Sequence, residues 1–224
     1  MSENSAFQSI FLVRAHGITT GEAAIWINTP VSLSSAIGTF AVGWLATKLY
    51  KKYPGAIAWV PAIGLSISVP FYYFAFTTEN LLYAAIGLSI GGFVKYGYLA
   101  AQYTIGQGVV TMRVRAMATA VLLFIVNLIG YGFGPLFIGA VSDIFFVSGV
   151  MEYGLAAEEL SRNQCHPRAI GELSANLQTV CGEVYADSLR IAMMIMSSLY
   201  LACGLFFLLT WRRLDKDMID RNTA

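Results

Sequence analysis

The apolar stretch 113–143 constrains the fold of this chain more than any other feature. It reads RVRAMATAVLLFIVNLIGYGFGPLFIGAVSD, with two arginines at its start, an aspartate at its end and no charge in between. At about 1.5 Å per residue, a helix of this length exceeds the roughly 30 Å hydrocarbon core of a bilayer. The stretch is therefore predicted to be a transmembrane helix.

Composition supports a membrane protein. Hydrophobic residues make up 57% of the chain and charged residues 12%, against roughly 25% charged residues in a typical soluble domain. The net charge is +1, and the basic residues form short clusters at the ends of apolar runs, which indicates membrane anchoring and no nucleic-acid partner. No phosphate loop, nucleophile elbow or HExxH motif occurs, and Cys165 with His166 falls short of the about four ligands of a metal site. We therefore expect no enzyme, no cofactor and no metal.

Four further apolar segments are long enough to cross the membrane as helices. They are residues 23–49, 56–76, 81–102 and 189–211. Residues 6–13 are apolar but too short to span, and we interpret them as the tail of a helix whose beginning is missing. The segment 56–76 has no ionisable residue and is expected to face lipid.

Loop charge predicts the orientation, because short loops rich in Lys and Arg stay in the cytoplasm. The opposite side carries a polar, acidic-leaning loop over residues 143–188. We expect a multi-pass protein of the cell (inner) membrane with a cytoplasmic C-terminus, in which Lys48, Arg113 and Arg115 act as anchors or as parts of a cytoplasmic gate. The three basic connections on that side contain Lys48, Lys51 and Lys52; Arg113 and Arg115; and Arg212, Arg213 and Lys216.

Several separated motifs, in the right order, resemble those of the major facilitator superfamily of transporters, most closely its spinster-like branch. The stretch 113–143 is similar to the eleventh helix of that branch through its RAMATA start, NLIGYGFGP middle and SD end. RAHGITTGEA resembles the loop after helix seven, GTFAVGWLATKLYKKYP the end of helix eight, and VPAIGLSISVPFYYFAF helix nine. In the loop after helix eight, Thr47 stands where the family usually has an aspartate.

The resemblance implies an all-α integral membrane fold, namely the C-terminal six-helix bundle of a twelve-helix carrier with an incomplete first helix. The implied partners are membrane lipid, a small organic or lipid-like substrate, and an N-terminal six-helix bundle that is missing or separate. The implied divisions are the tail of helix seven and the start of the outer loop at 1–16, helices eight to eleven at 17–142, a long extracytoplasmic loop at 143–188, and the last helix with a cytoplasmic tail at 189–224.

Lys95 is the sharpest functional signal. A charged side chain near the bilayer centre costs at least about 2.5–3.5 kcal/mol, so it normally faces a partner or a water-filled path. Gly91, Lys95, Tyr98 and Gln102 follow at helical intervals of four, three and four, and therefore share one helix face. With Asn127 at similar depth on the next helix, we expect Lys95, Tyr98, Gln102 and Asn127 to bind an anionic headgroup or carboxylate. The alternative is a lysine that snorkels or pairs with helix carbonyls.

Small residues and a proline suggest packing or bending. Gly130 and Gly134 form a GxxxG pair, which usually marks close contact between membrane helices, and Gly91 is assigned the same role. The functional alternative is that these glycines and Pro135 let the helix bend as a cavity opens.

Two of the three cysteines share the predicted outer loop. An oxidising compartment would permit a disulfide between Cys165 and Cys181, and two free thiols are the alternative.

The functional hypothesis is transport of a small organic or lipid-like substrate by a secondary carrier of which this chain is the C-terminal half. Lys95 is compatible with an anionic substrate. Two alternatives remain open: a non-transporting membrane subunit or scaffold, and a truncated product that is inactive alone. One bundle by itself provides no alternating access, because such carriers rock two bundles around a midplane site.

Overall fold

A computed structural model describes residues 11–13, 18–53, 55–153, 165 and 174–217. In this part of the chain, five helices are long and apolar enough to cross a membrane. This confirms the predicted all-α membrane fold. The helices are α1 (Thr20–Tyr50), α2 (Ala56–Thr77), α3 (Leu81–Gly108), α4 (Met112–Glu152) and α5 (Ala175–Asp217).

Polar caps fix where two of the helices begin. At the start of α1, Glu22 N donates to Thr19 Oγ1 over 3.3 Å, and Thr19 N donates to Glu22 Oε2 over 2.9 Å. This reciprocal pair is a capping box. At the start of α3, Leu82 N donates to Asn80 Oδ1 over 2.9 Å. Both caps satisfy backbone N–H groups that a helix leaves without a partner at its first turn.

Two helices contain a wide π-helical segment just before a proline. In α1 the segment is Ala24–Asn28 and precedes Pro30, and in α4 it is Leu128–Phe133 and precedes Pro135. Proline has no backbone N–H and its ring clashes with the carbonyl one turn earlier, so the preceding turn widens. In α4 the helix is therefore wider than an α-helix just before Pro135.

Helix α2 lies at the centre of the bundle, where it packs on α5, α3 and α1. In its most apolar 18-residue window, 56% of the residues are buried. Glycines allow close approach on two sides: a Cβ added at Gly64 would lie 2.9 Å from the Val94 carbonyl oxygen, and one at Gly204 would lie 3.1 Å from that of Ala62. The expectation that residues 56–76 face lipid is wrong, because a helix without charges is equally suited to a protein interior.

The polar connection between the last two helices is shorter than the predicted loop at 143–188. Helix α4 continues to Glu152 and α5 begins at Ala175. The extensions stay helical because they pack on each other, and Phe146, Val150 and Val184 are buried between them. Hydropathy marks the part of a helix that lies in lipid, whereas backbone hydrogen bonding continues past it.

The predicted helix tail at 1–16 lies mostly outside the described residues. Its described part, residues 11–13, is helical. Phe11 and Leu12 are buried against Tyr72, Phe76 and Leu189, so this segment belongs to the packed core. Of the predicted tail 189–224, residues 218–224 are also outside the described part.

Candidate functional site

The central polar group of the bundle is Lys95. It ends the first part of α3, Leu81–Lys95, and only 5% of the residue is exposed. Its Nζ donates a hydrogen bond to Tyr200 Oη over 3.3 Å. Both residues lie near the middle of membrane-length helices. The lysine therefore neither snorkels nor pairs with helix carbonyls, and a phenol from α5 holds it.

Three aromatic rings surround the ammonium group. Nζ lies 4.6 Å from the ring centroid of Tyr96, 5.0 Å from that of Tyr200 and 5.3 Å from that of Tyr72. Cation–π contacts at such distances contribute from about 0.5 kcal/mol at exposed sites to about 2 kcal/mol where water is excluded. We call these three residues, Tyr72, Tyr96 and Tyr200, the tyrosine cage.

The packing of α2, α3 and α5 fixes the cage. The rings of Tyr72 and Tyr200 contact each other with centroids 5.8 Å apart. Tyr72 is 2% exposed, and a Cβ added at Gly91 would lie 3.1 Å from its ring. The absence of a side chain at Gly91 thus lets the Tyr72 ring lie against α3, which agrees with the packing role predicted for this glycine.

The groups that contact Lys95 are neutral. Among the residues that the structure describes, no carboxylate forms an ion pair with it, and its contacts are the neutral groups of the cage. Phenol rings and one hydroxyl offset part of the desolvation cost of a buried ammonium but leave its charge uncompensated.

A break in α3 separates Lys95 from Gln102. The helix is interrupted at Tyr96 and Gly97 and resumes as Tyr98–Gly108. At the break Leu99 N bonds to the Tyr96 carbonyl over 3.2 Å, which is a tighter turn than an α-helix. The prediction that Lys95 and Gln102 share one helix face assumed that the helix is unbroken between them. Tyr98, directly after the break, is half-buried.

Gln102 lies instead in a groove between the second part of α3 and the first part of α4. The groove is open, has a volume of about 610 Å³ and is almost entirely apolar. We call it the α3–α4 groove. Its lining includes Gln102, Val114, Met117, Val121, Ile125 and Val126.

The structure does not bring Asn127 to Lys95. Asn127 is exposed, and its Nδ2 donates to the Leu123 carbonyl of its own helix over 2.7 Å. Around Gly130 the surface is open, since an added Cβ would meet nothing within 4 Å. The GxxxG face of Gly130 and Gly134 therefore makes no close contact at Gly130 within the described chain.

The predicted anchors lie at the ends of helices. Lys48 is exposed in the last turn of α1, with its Nζ 4.9 Å above the Trp44 ring. Arg113 is exposed in the short 3₁₀ turn that opens α4, and Arg115 is half-buried in the turn that follows. The chain direction places all three at one end of the bundle.

At the other end, a disulfide joins Cys165 to Cys181, with Cα atoms 5.3 Å apart. The bond is buried beside Phe146, Val150 and Val184. Nearby, Tyr153 Oη donates to Glu183 Oε2 over 2.7 Å. This hydrogen bond to a carboxylate raises the pKa of the Tyr153 phenol. Of the two cysteine alternatives, the structure shows the bonded one.

Sequence reasoning missed the cage. None of its three tyrosines is among the site residues predicted from the sequence. A signal was present, because Tyr200 lies at the middle of the apolar segment 189–211, where its hydroxyl needs a buried partner. A phenol and a lysine at equal depth on separate helices are candidates for pairing.

Comparisons with known proteins agree with this architecture. The chain matches the crystal structure of a bacterial homologue of the human lysosomal transporter Spinster in its inward-facing, occupied conformation, with a TM-score of 0.82 and 34% identity over 96% of this chain and 46% of that one. The unoccupied form gives a TM-score of 0.82 and 35% identity over 96% and 45%. An efflux pump of the major facilitator type from Mycolicibacterium smegmatis is 27% identical over 62% of this chain and 32% of its own length. No family model matches.

The five apolar helices and the similarity to these structures thus identify a multi-pass helical membrane protein. In fold and sequence the chain is similar to spinster-like transporters of the major facilitator superfamily, which confirms the resemblance found in its motifs. It spans about half the length of the matched crystal structures and about a third of the curated pump.

Proposed function

We propose that this chain is the C-terminal half of a secondary carrier that moves a small organic or lipid-like substrate with an anionic group across the membrane. The fold similarity to a Spinster homologue supports transport as the general activity. The observation that carries the anionic preference is Lys95, a buried cation that among the described residues contacts only neutral tyrosines.

In this proposal, Lys95 is the anion-binding group, and the tyrosine cage fixes the position of its Nζ. A carboxylate or phosphate that reaches Nζ replaces the Tyr200 hydroxyl and forms a stronger, charge-assisted hydrogen bond. Tyr98, directly after the break in α3, contributes to the same site. Gln102 and Asn127 lie farther from Lys95, and in this proposal they contact polar groups of the substrate as it moves through the carrier.

The other half of the path is the N-terminal six-helix bundle. The exposed surface of α4 supports this role, because only 6% of its most apolar 18-residue window is buried. We further propose that the C-terminus lies in the cytoplasm of the cell (inner) membrane, with Lys48, Arg113 and Arg115 at the cytoplasmic end. The disulfide supports the placement of the opposite end in an oxidising compartment.

The test uses the full-length carrier in proteoliposomes with a panel of anionic, neutral and cationic amphiphiles. Lys95→Ala is expected to abolish uptake of the anionic substrate while the amount of folded protein is unchanged. Lys51→Ala removes an exposed lysine of the basic end and is the matched control, with uptake as in the wild type. Full uptake of anionic substrate by folded Lys95→Ala would refute the assignment.

Tyr200→Phe sharpens this test. The variant keeps the ring and removes the hydroxyl that accepts from Lys95. If the hydroxyl competes with the substrate, binding of the anion is expected to tighten in Tyr200→Phe, by up to about tenfold for one neutral hydrogen bond. An equal loss of uptake in Tyr200→Phe and Lys95→Ala would instead mean that the pair is only structural.

A second candidate function is a membrane subunit or scaffold that does not transport. The same exposed face of α4 favours it, since an apolar helix surface of this size fits another membrane protein as well as a second bundle. Cross-linking through a cysteine placed at Gly130, followed by mass spectrometry, separates the two. Links within one long polypeptide support the carrier, and links to a separate chain without transport support the scaffold.

A further inference from the structure

The α3–α4 groove lies beside the two arginines that open α4. Val114, one of its lining residues, stands between Arg113 and Arg115 in the chain. From Val114 to Val126, the helical rise of about 1.5 Å per residue gives a length of about 18 Å. One leaflet of a bilayer with a roughly 30 Å core has about 15 Å of hydrocarbon. The groove therefore runs the depth of one leaflet.

The two arginines are the basic residues that flank a lining residue of the groove. Lys48 and Lys52 each place Nζ over an aromatic ring, at 4.9 Å from Trp44 and 5.4 Å from Tyr53. By contrast, neither arginine forms an ion pair within the described residues. The Nε of Arg115 is shielded from solvent and has no hydrogen-bond partner there.

We propose that the α3–α4 groove binds one acyl chain of an anionic glycerophospholipid from the bilayer, whose phosphate contacts Arg113 and Arg115. The apolar lining fits a hydrocarbon tail, and Gln102 is its polar member. The guanidinium groups match a phosphate in charge and geometry, because Arg forms paired hydrogen bonds with phosphate oxygens. The groove does not include Lys95, although it shares Gln102 with the proposed substrate contacts.

The experiment measures lipid retained by the full-length carrier in native mass spectrometry after exchange into phosphatidylglycerol or phosphatidylcholine. The wild type is expected to retain phosphatidylglycerol in preference. In the double variant Arg113→Gln/Arg115→Gln the retained phosphatidylglycerol should fall about thirtyfold, because each basic residue near an anionic surface is worth about a factor of five. Equal retention of phosphatidylglycerol and phosphatidylcholine by the wild type would overturn the proposal.

Two matched variants separate this site from general surface charge. Lys51→Gln/Lys52→Gln removes the same number of charges at the same end but away from the groove, and should leave retention within about twofold of the wild type. Ala118→Trp fills the groove, which Ala118 also lines, and should reduce retention of both lipids. Equal losses in the arginine and lysine pairs, or undiminished retention in folded Ala118→Trp, would overturn the proposal.

Discussion

Helices α2 and α4 are both uncharged through their apolar windows, yet they occupy opposite environments. The mean hydropathy of these windows is 1.5 for α2 and 2.1 for α4, whereas 56% of the first and 6% of the second is buried. The more apolar helix is the less buried one. Hydropathy reports that a segment leaves water, and it does not report whether lipid or protein then covers it.

The surroundings of the glycines distinguish the two helices better than hydropathy does. Gly64 of α2 and Gly204 of α5 lie at close approaches, where the Cβ of a larger residue would meet backbone at 2.9 and 3.1 Å. The glycines of the NLIGYGFGP run are different, since a Cβ at Gly130 or Gly132 meets nothing within 4 Å. Small residues in membrane helices mark packing surfaces. The unfilled surface on α4 is therefore expected to contact a partner that the described chain lacks.

The largest expected difference comes from matched phenylalanines. Phe76 of α2 is 1% exposed and lies edge-on to Phe11 with centroids 5.6 Å apart, whereas Phe124 of α4 is 66% exposed. Phe76→Ala should lower the free energy of unfolding of this chain in mixed micelles by about 3–5 kcal/mol, and Phe124→Ala by less than about 0.5 kcal/mol. Equal losses would mean that α4 is packed in the isolated chain.

The same two substitutions also compare α2 with α4 in the full-length carrier. If the second bundle covers α4, Phe124→Ala should become costly there, while the loss caused by Phe76→Ala changes little. Denaturant titration under the same conditions measures the loss in free energy of unfolding for each substitution, in the isolated chain and in the carrier. An unchanged small effect of Phe124→Ala in the carrier would place this side chain in lipid.

Matched glycines give the next largest effect. In Gly64→Val the new side chain meets the Val94 carbonyl, so the melting temperature should fall in line with a loss of about 1–3 kcal/mol. In Gly130→Val the space is open, and stability of the chain should hold within about 0.5 kcal/mol. A drop for Gly130→Val only in the full-length carrier would identify the GxxxG face as a contact with the second bundle.

Most of the fold could be predicted from the sequence, because each span is set by length and hydropathy. The starts of α2 and α3 agree with the predicted segments, and the cap of α3 follows from the local residue Asn80. The extents of α4 and α5 beyond the membrane could not be predicted, since they depend on Phe146 and Val184 packing across helices that are distant in sequence. Burial of α2 depends on tertiary contacts in the same way.

The site was predictable only in part. Lys95 stands out because charge is rare and costly in a membrane. Its grouping with Gln102 depended on helical periodicity, and the break at Gly97 ends that periodicity; a Cβ at Gly97 would overlap Val42, so close packing with α1 accompanies the break. The cage draws Tyr72 and Tyr200 from helices far apart in the chain, a pairing that spacing along one helix cannot reveal.

The smallest expected difference concerns hydrogen bonds. Tyr73 Oη of α2 bonds to Ser198 Oγ of α5 over 2.7 Å, whereas Asn127 of α4 bonds only within its own helix in the described chain. Tyr73→Phe should therefore cost about 0.6 kcal/mol, the average for such bonds between membrane helices, and Asn127→Leu less. A double-mutant cycle with Ser198→Ala isolates the coupling energy of this bond. Once Ser198→Ala has removed one partner, Tyr73→Phe should cost little further stability. A larger loss for Asn127→Leu would contradict the contrast, because α4 would then depend on this amide for more than its own helical turn.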